Sequence, residues 1–294
     1  MAQFIISAFA DEAQGDLKGQ IAALKRNNIE YIEIRGIDGK CIIDYTDEEI
    51  AAMGKELKEA GIKVSSIGSP IGKYNITDDF EPHFERFKRA VKAAQLLEAK
   101  YIRMFSFFVK REELAQYKAE VLKRMRVMLD YASAEGIQLC HENEANIYGC
   151  LPEQCIELQE ELPDLKAIFD PCNYIMEDAD IPWAIEHIKQ YVEYCHIKDG
   201  TLGEHAIVPA GHGDGNIALV LSTVAEARGN KDTFLTIEPH LFQFIGYNNL
   251  DKRSLKHKFS FENSNESFDA AVSALKDILK NLGYVEGENK KWIK

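Results

Sequence analysis

Along the chain, short runs rich in β-branched and aromatic residues alternate with longer stretches whose apolar residues recur every three or four positions. The short runs predict eight strands, at about 4–9, 31–35, 63–68, 101–107, 137–142, 167–170, 192–198 and 234–238. The longer stretches predict helices at about 16–27, 47–60, 80–97, 112–135, 153–162, 181–190, 217–228 and 267–282. At two junctions, Ala60-Gly61-Ile62 and Glu135-Gly136-Ile137, a glycine stands where a left-handed helix cap favours it. Eight strands each followed by a helix predict an α/β fold closed as a (β/α)8 TIM barrel over residues 1–294, one domain, with a doubly wound open sheet as the alternative. No linker, low-complexity stretch or charge run marks a domain boundary.

Composition fits this picture. The chain has 294 residues, and barrels of this kind run to roughly 250 residues as a single domain. Hydrophobic residues make up 46% and charged residues 28%, enough apolar material for a large core. The formal charge of -13 repels phosphate backbones and anionic lipid heads, so neither nucleic acid nor membrane is an expected partner. The start, MAQFIISAFADE, lacks the basic and apolar segments of a signal peptide, and no run approaches the roughly 20 apolar residues of a membrane span. Six cysteines, with no C-x-x-C pair, read as reduced thiols, and the expected location is cytoplasmic.

In a barrel the functional groups lie where strands end and the following loops begin. Four such positions stand out: Glu142 in LCHENEANIYG, Asp170 in IFDPCNY, His196 in YCHIKDG and Glu238 in TIEPHL. Taken singly, each has a plainer explanation; Asp170 before Pro171 could cap a turn and His196 could be a hydrogen-bonded core residue. Four in succession, on the last four strands, place three carboxylates and an imidazole at one mouth. That oxygen-rich set suits one divalent ion, Mn2+ first, with Mg2+, Co2+ and Zn2+ as alternatives, and without a cation it would repel itself.

These residues give the chain its likeness to a family. Glu142-Asn143, Phe169-Asp170-Pro171, His196-Ile197-Lys198-Asp199, the Gly211-His212-Gly213-Asp214 loop, Glu238-Pro239 and the run Gly68-Ser69-Pro70-Ile71-Gly72-Lys73 resemble the sugar phosphate isomerase/epimerase family with the xylose isomerase-like barrel. That family includes ketose 3-epimerases and inosose dehydratases and is related to the apurinic endonucleases. The resemblance implies that Glu142, Asp170, His196 and Glu238 hold the metal, and it implies a homodimer or homotetramer. Two positions depart from the pattern: His212 stands where many relatives have Glu, and Asn173 where ketose epimerases have His. The endonucleases' three-zinc cluster needs histidines after the third and fourth strands, where this chain reads SIGSPIGK and RMFSFF.

Lys73, Arg103 and Lys198 also fall at strand ends, where they either balance the carboxylates or hold a substrate phosphate or carboxylate. Glu33, ending the second strand, is expected to contact a sugar hydroxyl or pair with one of these cations. His212 is a further substrate-binding candidate, in a loop expected to be mobile. Cys172 lacks a recognisable base for a nucleophile's role.

The expected chemistry is proton abstraction next to a metal-bound carbonyl, giving an enediolate, with Glu142 and Glu238 as the catalytic pair. Return of the proton to the opposite face gives epimerisation, and transfer to the neighbouring carbon gives isomerisation. Loss of a β-hydroxyl, with His212 or His240 as acid, gives dehydration. A non-catalytic sugar-binding barrel is the remaining alternative. Finally, residues of about 241–265 form a long loop carrying Lys252, Arg253, Lys256, His257 and Lys258, either a solvated excursion or a lid or subunit contact.

Overall fold

A computed structural model describes residues 3–242 and 256–294. Eight parallel strands close into a barrel: β1 (Gln3–Ala8), β2 (Tyr31–Ile34), β3 (Lys63–Ile67), β4 (Tyr101–Met104), β5 (Gln138–Glu142), β6 (Lys166–Phe169), β7 (Val192–Ile197) and β8 (Asp232–Ile237). Each pairs with the next, and β8 returns to β1 along six residues, from Gln3 opposite Asp232 to Ala8 opposite Ile237. The fold is the predicted (β/α)8 TIM barrel.

Among the described residues, the helices of eight residues or more are α1 (Leu17–Arg26), α2 (Asp47–Glu59), α3 (Phe80–Leu96), α4 (Leu114–Ala134), α5 (Pro152–Glu161), α6 (Ile181–Ile188), α7 (Ile217–Arg228) and α8 (Ser264–Asn281). Their starts follow local chemistry. Asp16, Asp79, Asp180 and Asn263 each accept a first-turn amide, and Thr46 with Glu49 forms a reciprocal capping box on α2. Gly61 and Gly136, at φ +76° and +73°, end α2 and α4 as the sequence predicts.

The apolar sides of the helices pack on the outside of the barrel and form one large core. Inside, a smaller cluster of Tyr101, Cys140, Ile168 and Tyr194, with Phe234 against it, comes from alternate residues of β4 to β8. Because side chains alternate across a strand, the next inward position after each of these lies two residues on. Those positions are Arg103, Glu142, Asp170, His196 and, two beyond Thr236, Glu238. The strand register therefore sets the polar layer directly above the apolar plug.

The C-terminal segment lies outside the sequence expectation. Two short strands, Val285–Glu286 and Lys291–Ile293, form a hairpin whose second strand pairs antiparallel with β1 at Phe4 and Ile5. β1 meets β2 only at Ser7 and Ala8, and the hairpin fills the seam below, with Trp292 buried in the core.

Of the long loop predicted at about 241–265, residues 243–255, with Lys252 and Arg253, lie outside the described residues. Lys256 and His257 pair with Ala206 and Ile207, and α8 begins at Ser264. Among the described residues no helix is long and apolar enough to cross a membrane.

Candidate metal and active site

Glu142, Asp170, His196 and Glu238 are all buried at the C-terminal end of the barrel, and one donor atom from each lies within 4.8 Å of the others. His196 stands at the centre. Its Nδ1 lies 3.0 Å from Glu142 Oε1 and 3.2 Å from Glu238 Oε2. One ring nitrogen carries at most one proton, so it cannot satisfy both carboxylates by hydrogen bonding.

Asp170 divides its two oxygens. Oδ1 caps the short helix Pro171–Ile175 by accepting the Asn173 amide at 2.9 Å, which was the plainer explanation of this residue. Oδ2 points into the cluster, 3.0 Å from Lys198 Nζ. It is buried without a well-formed hydrogen bond, as is Glu238 Oε2, although Lys198 approaches both. Asn143 clamps the Asp170 backbone from both sides, and the Asn173 amide reaches Glu142 Oε1 at 3.2 Å.

Three cations are woven into the carboxylates. Arg35 Nη1 meets Glu238 Oε1 at 2.9 Å, and the rest of its guanidinium is held by Asp11 and Glu12. Arg103 bonds Glu142 Oε2 at 3.2 Å and the Gly68 and Ser69 carbonyls, and Lys198 bridges Asp170 and Glu238. The cluster therefore does not depend on a metal alone to avoid self-repulsion. Yet Asp11, Glu12, Glu33, Glu142, Asp170 and Glu238 outnumber Arg35, Arg103 and Lys198 by three charges.

The ionisation of the groups reports that shortfall. Burial pushes Asp170 up to about 7 despite Lys198 beside it, and burial pushes Glu12 up to about 8 against the pull of Arg35. Desolvation opposes a charged His196, but Glu142 and Glu33 hold it well above its usual value, so a proton is recruited to the centre of the cluster. Glu238, against the same desolvation, is held low by Lys198 and His196. Orphaned carboxylate oxygens around an imidazole Nδ1, with negative charge in excess, fit a divalent cation, and these four residues could hold one.

Glu33 occupies a different place from a sugar contact. It is fully buried behind His196, with Oε2 3.2 Å from Nε2 and 2.9 Å from Thr236 Oγ1, and Oε1 accepting the Tyr194 hydroxyl at 3.0 Å. Lys73 pairs with Glu144 at 3.0 Å rather than with the cluster. His212 is exposed and its ring meets Phe259 edge-on, so it does not join the cluster either. Three amides of its loop bond to Asp199. Cys172 is buried beneath Gly200.

Sequence reasoning passed over Asp11, Glu12 and Arg35. Glu12 lies in a single 3-10 turn after β1, and its carboxylate accepts the His240 amide at 2.7 Å and sits 3.3 Å from His240 Nε2, which is 3.6 Å from Glu238. Glu12, Glu238 and His240 thus make a second group of donors that shares Glu238 with the first. The available signal was FADE at the end of a predicted strand, the same kind of position that singled out the other four.

The sequence profile of the xylose isomerase-like TIM barrel matches residues 21–256. Among solved structures, the chain is similar to the probable 3-DHS dehydratase AsbF of petrobactin synthesis from Bacillus anthracis, with a TM-score of 0.71 and 16% identity over 94% of this chain and 99% of that one. It is similar to the IolI protein with a bound zinc atom, at 0.71 and 15% over 95% and 99%. It is also similar to D-psicose 3-epimerase with D-tagatose from Clostridium cellulolyticum H10, at 0.70 and 14% over 95% and 99%. At these identities the likeness is one of fold. No curated protein matches in sequence.

Proposed function

The chain belongs to the xylose isomerase-like TIM barrel family, and from that premise we propose that it is a divalent-metal-dependent sugar isomerase or epimerase, acting by proton transfer at a carbon next to a carbonyl. The observation that carries this reading is the position of Glu142 and Glu238, which approach the same His196 nitrogen from two different strands, at 3.0 and 3.2 Å. Glu142, Asp170, His196 and Glu238 would hold the ion, Mn2+ by the preference of an oxygen-rich set. When bound, the ion polarises the substrate carbonyl and makes the adjacent C–H more acidic.

The chain's own residues do the rest. One of Glu142 and Glu238 takes the proton from carbon, and the electron pair passes into an enediolate. The other returns a proton to the opposite face for epimerisation; a single base returning it to the neighbouring carbon gives isomerisation. Arg103 and Asn173 fix the Glu142 carboxylate, while Arg35 and Lys198 fix Glu238. Glu33 holds the His196 ring in one orientation.

A dehydratase reading is favoured by one separate observation. Glu12, which burial pushes up to about 8, stands 3.3 Å from His240 Nε2, itself 3.6 Å from Glu238, and would supply through His240 the proton to a departing hydroxyl. The deciding experiment is incubation of the metal-loaded protein with ketoses and cyclic ketopolyols in D2O, followed by NMR. Deuterium on carbon with an epimer or isomer as product supports the first reading. Net loss of water supports the second, and no exchange with any substrate of either class would refute both.

A further inference from the structure

Phe9 follows β1 directly, its amide donating to the Ile237 carbonyl at 3.0 Å, and its ring is fully buried. Groups from both sides of the cluster rest on that ring. The Arg35 guanidinium carbon lies over it, 4.4 Å from its centre, and that of Arg103 lies over it at 5.0 Å, while the His196 imidazole meets it edge-on at 5.2 Å. Gly68 makes room for it. A Cβ at that position would lie 2.5 Å from Phe9 Cε1, and the Gly68 carbonyl accepts Arg103 Nη2 at 3.2 Å.

The two arginines are drawn toward one carboxylate oxygen. Arg35 Nη1 is 2.9 Å from Glu238 Oε1, and Arg103 Nη1 is 3.7 Å from the same atom but 3.2 Å from Glu142 Oε2. A small slide of Arg103 would take it from Glu142 to Glu238 and leave Glu142 without its cation. Like charges this close repel, and the negative face of an aromatic ring attracts both of them, most strongly where water is excluded. Phe105 also takes Arg103, at 5.1 Å, together with Lys73 at 4.6 Å. Among the described residues, Phe9 is the ring common to both arginines and the imidazole.

We infer that Phe9 is a positioning residue for the proposed proton transfer: by holding both guanidinium groups over one ring it keeps Arg103 on Glu142 and Arg35 on Glu238, so that each carboxylate has its own cation and a fixed direction. The inference rests on the isomerase or epimerase reading for the reaction it serves; the placement of the arginines stands without it. With its ring buried, Phe9 acts through these neighbours.

The test compares Phe9→Leu, Gly68→Ala, the double variant and Phe87→Leu, which alters a buried phenylalanine of α3, all saturated with Mn2+. Phe9→Leu keeps an apolar side chain without the aromatic face. Its kcat, read by deuterium exchange in D2O with the ketose or cyclic ketopolyol that the wild type turns over, should fall by roughly 10- to 100-fold with KM little changed, the scale of a misplaced catalytic group. Gly68→Ala displaces the ring and should lose turnover as well, yet add little in the double variant, where no ring remains to displace. Phe87→Leu should lose stability alone. Side-chain NMR of 15N-arginine-labelled protein reads the placement without any substrate: Arg35 and Arg103 should give resolved Nη signals in the wild type and averaged ones in Phe9→Leu. Wild-type kcat in Phe9→Leu, additive losses in the double variant, or Nη signals alike in the two proteins would overturn the inference. If Phe9→Leu does not fold, Gly68→Ala carries the test by the same readouts. Absence of exchange with every sugar in the wild type would tell against the isomerase reading, and the Nη signals would then decide the role of Phe9 alone.

Discussion

Glu33 and His196 form a buried pair in which the carboxylate takes the Nε2 side of the ring, at 3.2 Å, and leaves Nδ1 to the cluster. A carboxylate behind an imidazole fixes the tautomer and the orientation that a metal requires. Glu33→Gln should therefore weaken metal affinity by roughly 10- to 100-fold, the usual scale for such outer partners, with the fold retained. Competition against a chelator measures it. Unchanged affinity would mean that the pair serves packing only.

For the inner residues, His196→Ala should abolish stoichiometric metal, as read by elemental analysis of the dialysed protein. Glu142→Gln and Glu238→Gln should each keep part of the metal and lose turnover by on the order of 100-fold or more. Near wild-type rates in both Gln variants would move the proton transfer to other groups, with His240 the first to examine.

Asp170 allows its two tasks to be separated. Asp170→Asn keeps an acceptor for the Asn173 amide and so should keep stability while losing metal affinity. Asp170→Ala should lose both, with the missing cap costing about 1 kcal/mol in denaturant unfolding of the metal-free protein. Equal stability of the two variants without metal would deny the capping role.

His83 ties the loop after β3 to α3, accepting the Gly72 amide at Nε2 over 2.9 Å while its ring stacks on Tyr74. Burial, with Arg86 and Arg124 nearby, depresses it from 6.5 to about 4. The unfolded chain takes up this proton near 6.5 and the folded chain only near 4, so the stability it contributes is present above pH 6.5 and lost as pH falls through that window. The loss is roughly 3 kcal/mol if the whole shift is expressed. His83→Gln keeps an acceptor and cannot titrate. Wild type should hold an advantage near pH 7 that shrinks toward pH 4, and a gap independent of pH would contradict the assignment.

The barrel strands were legible because alternation and helical periodicity are local properties, and strand ends deviate by one or two residues from those read in the sequence, except the fourth strand, read to 107 and ending at Met104. Glu142, Asp170, His196 and Glu238 could be singled out for the same reason: each ends a recognisable strand. What the sequence concealed depends on closure. Arg35 meets Glu238 across 203 positions, and no local pattern at either residue announces the other. Glu33 shows a carboxylate within YIEI, but only the closed barrel reveals that its neighbour is an imidazole on the opposite wall. The C-terminal hairpin is too short to carry a periodic signal of its own, and its partner lies at the other end of the chain.

That hairpin sets an order of events during synthesis. β1 precedes both of its neighbours along Phe4 and Ile5, β8 on one side and residues 291–292 on the other, so until both are made this apolar strand has open edges. A chain halted after α7 would present a curled, incomplete sheet with both edges able to pair with another such chain. Phe4 and Ile5 are thus secured only once β8 and residues 291–292 are both in place.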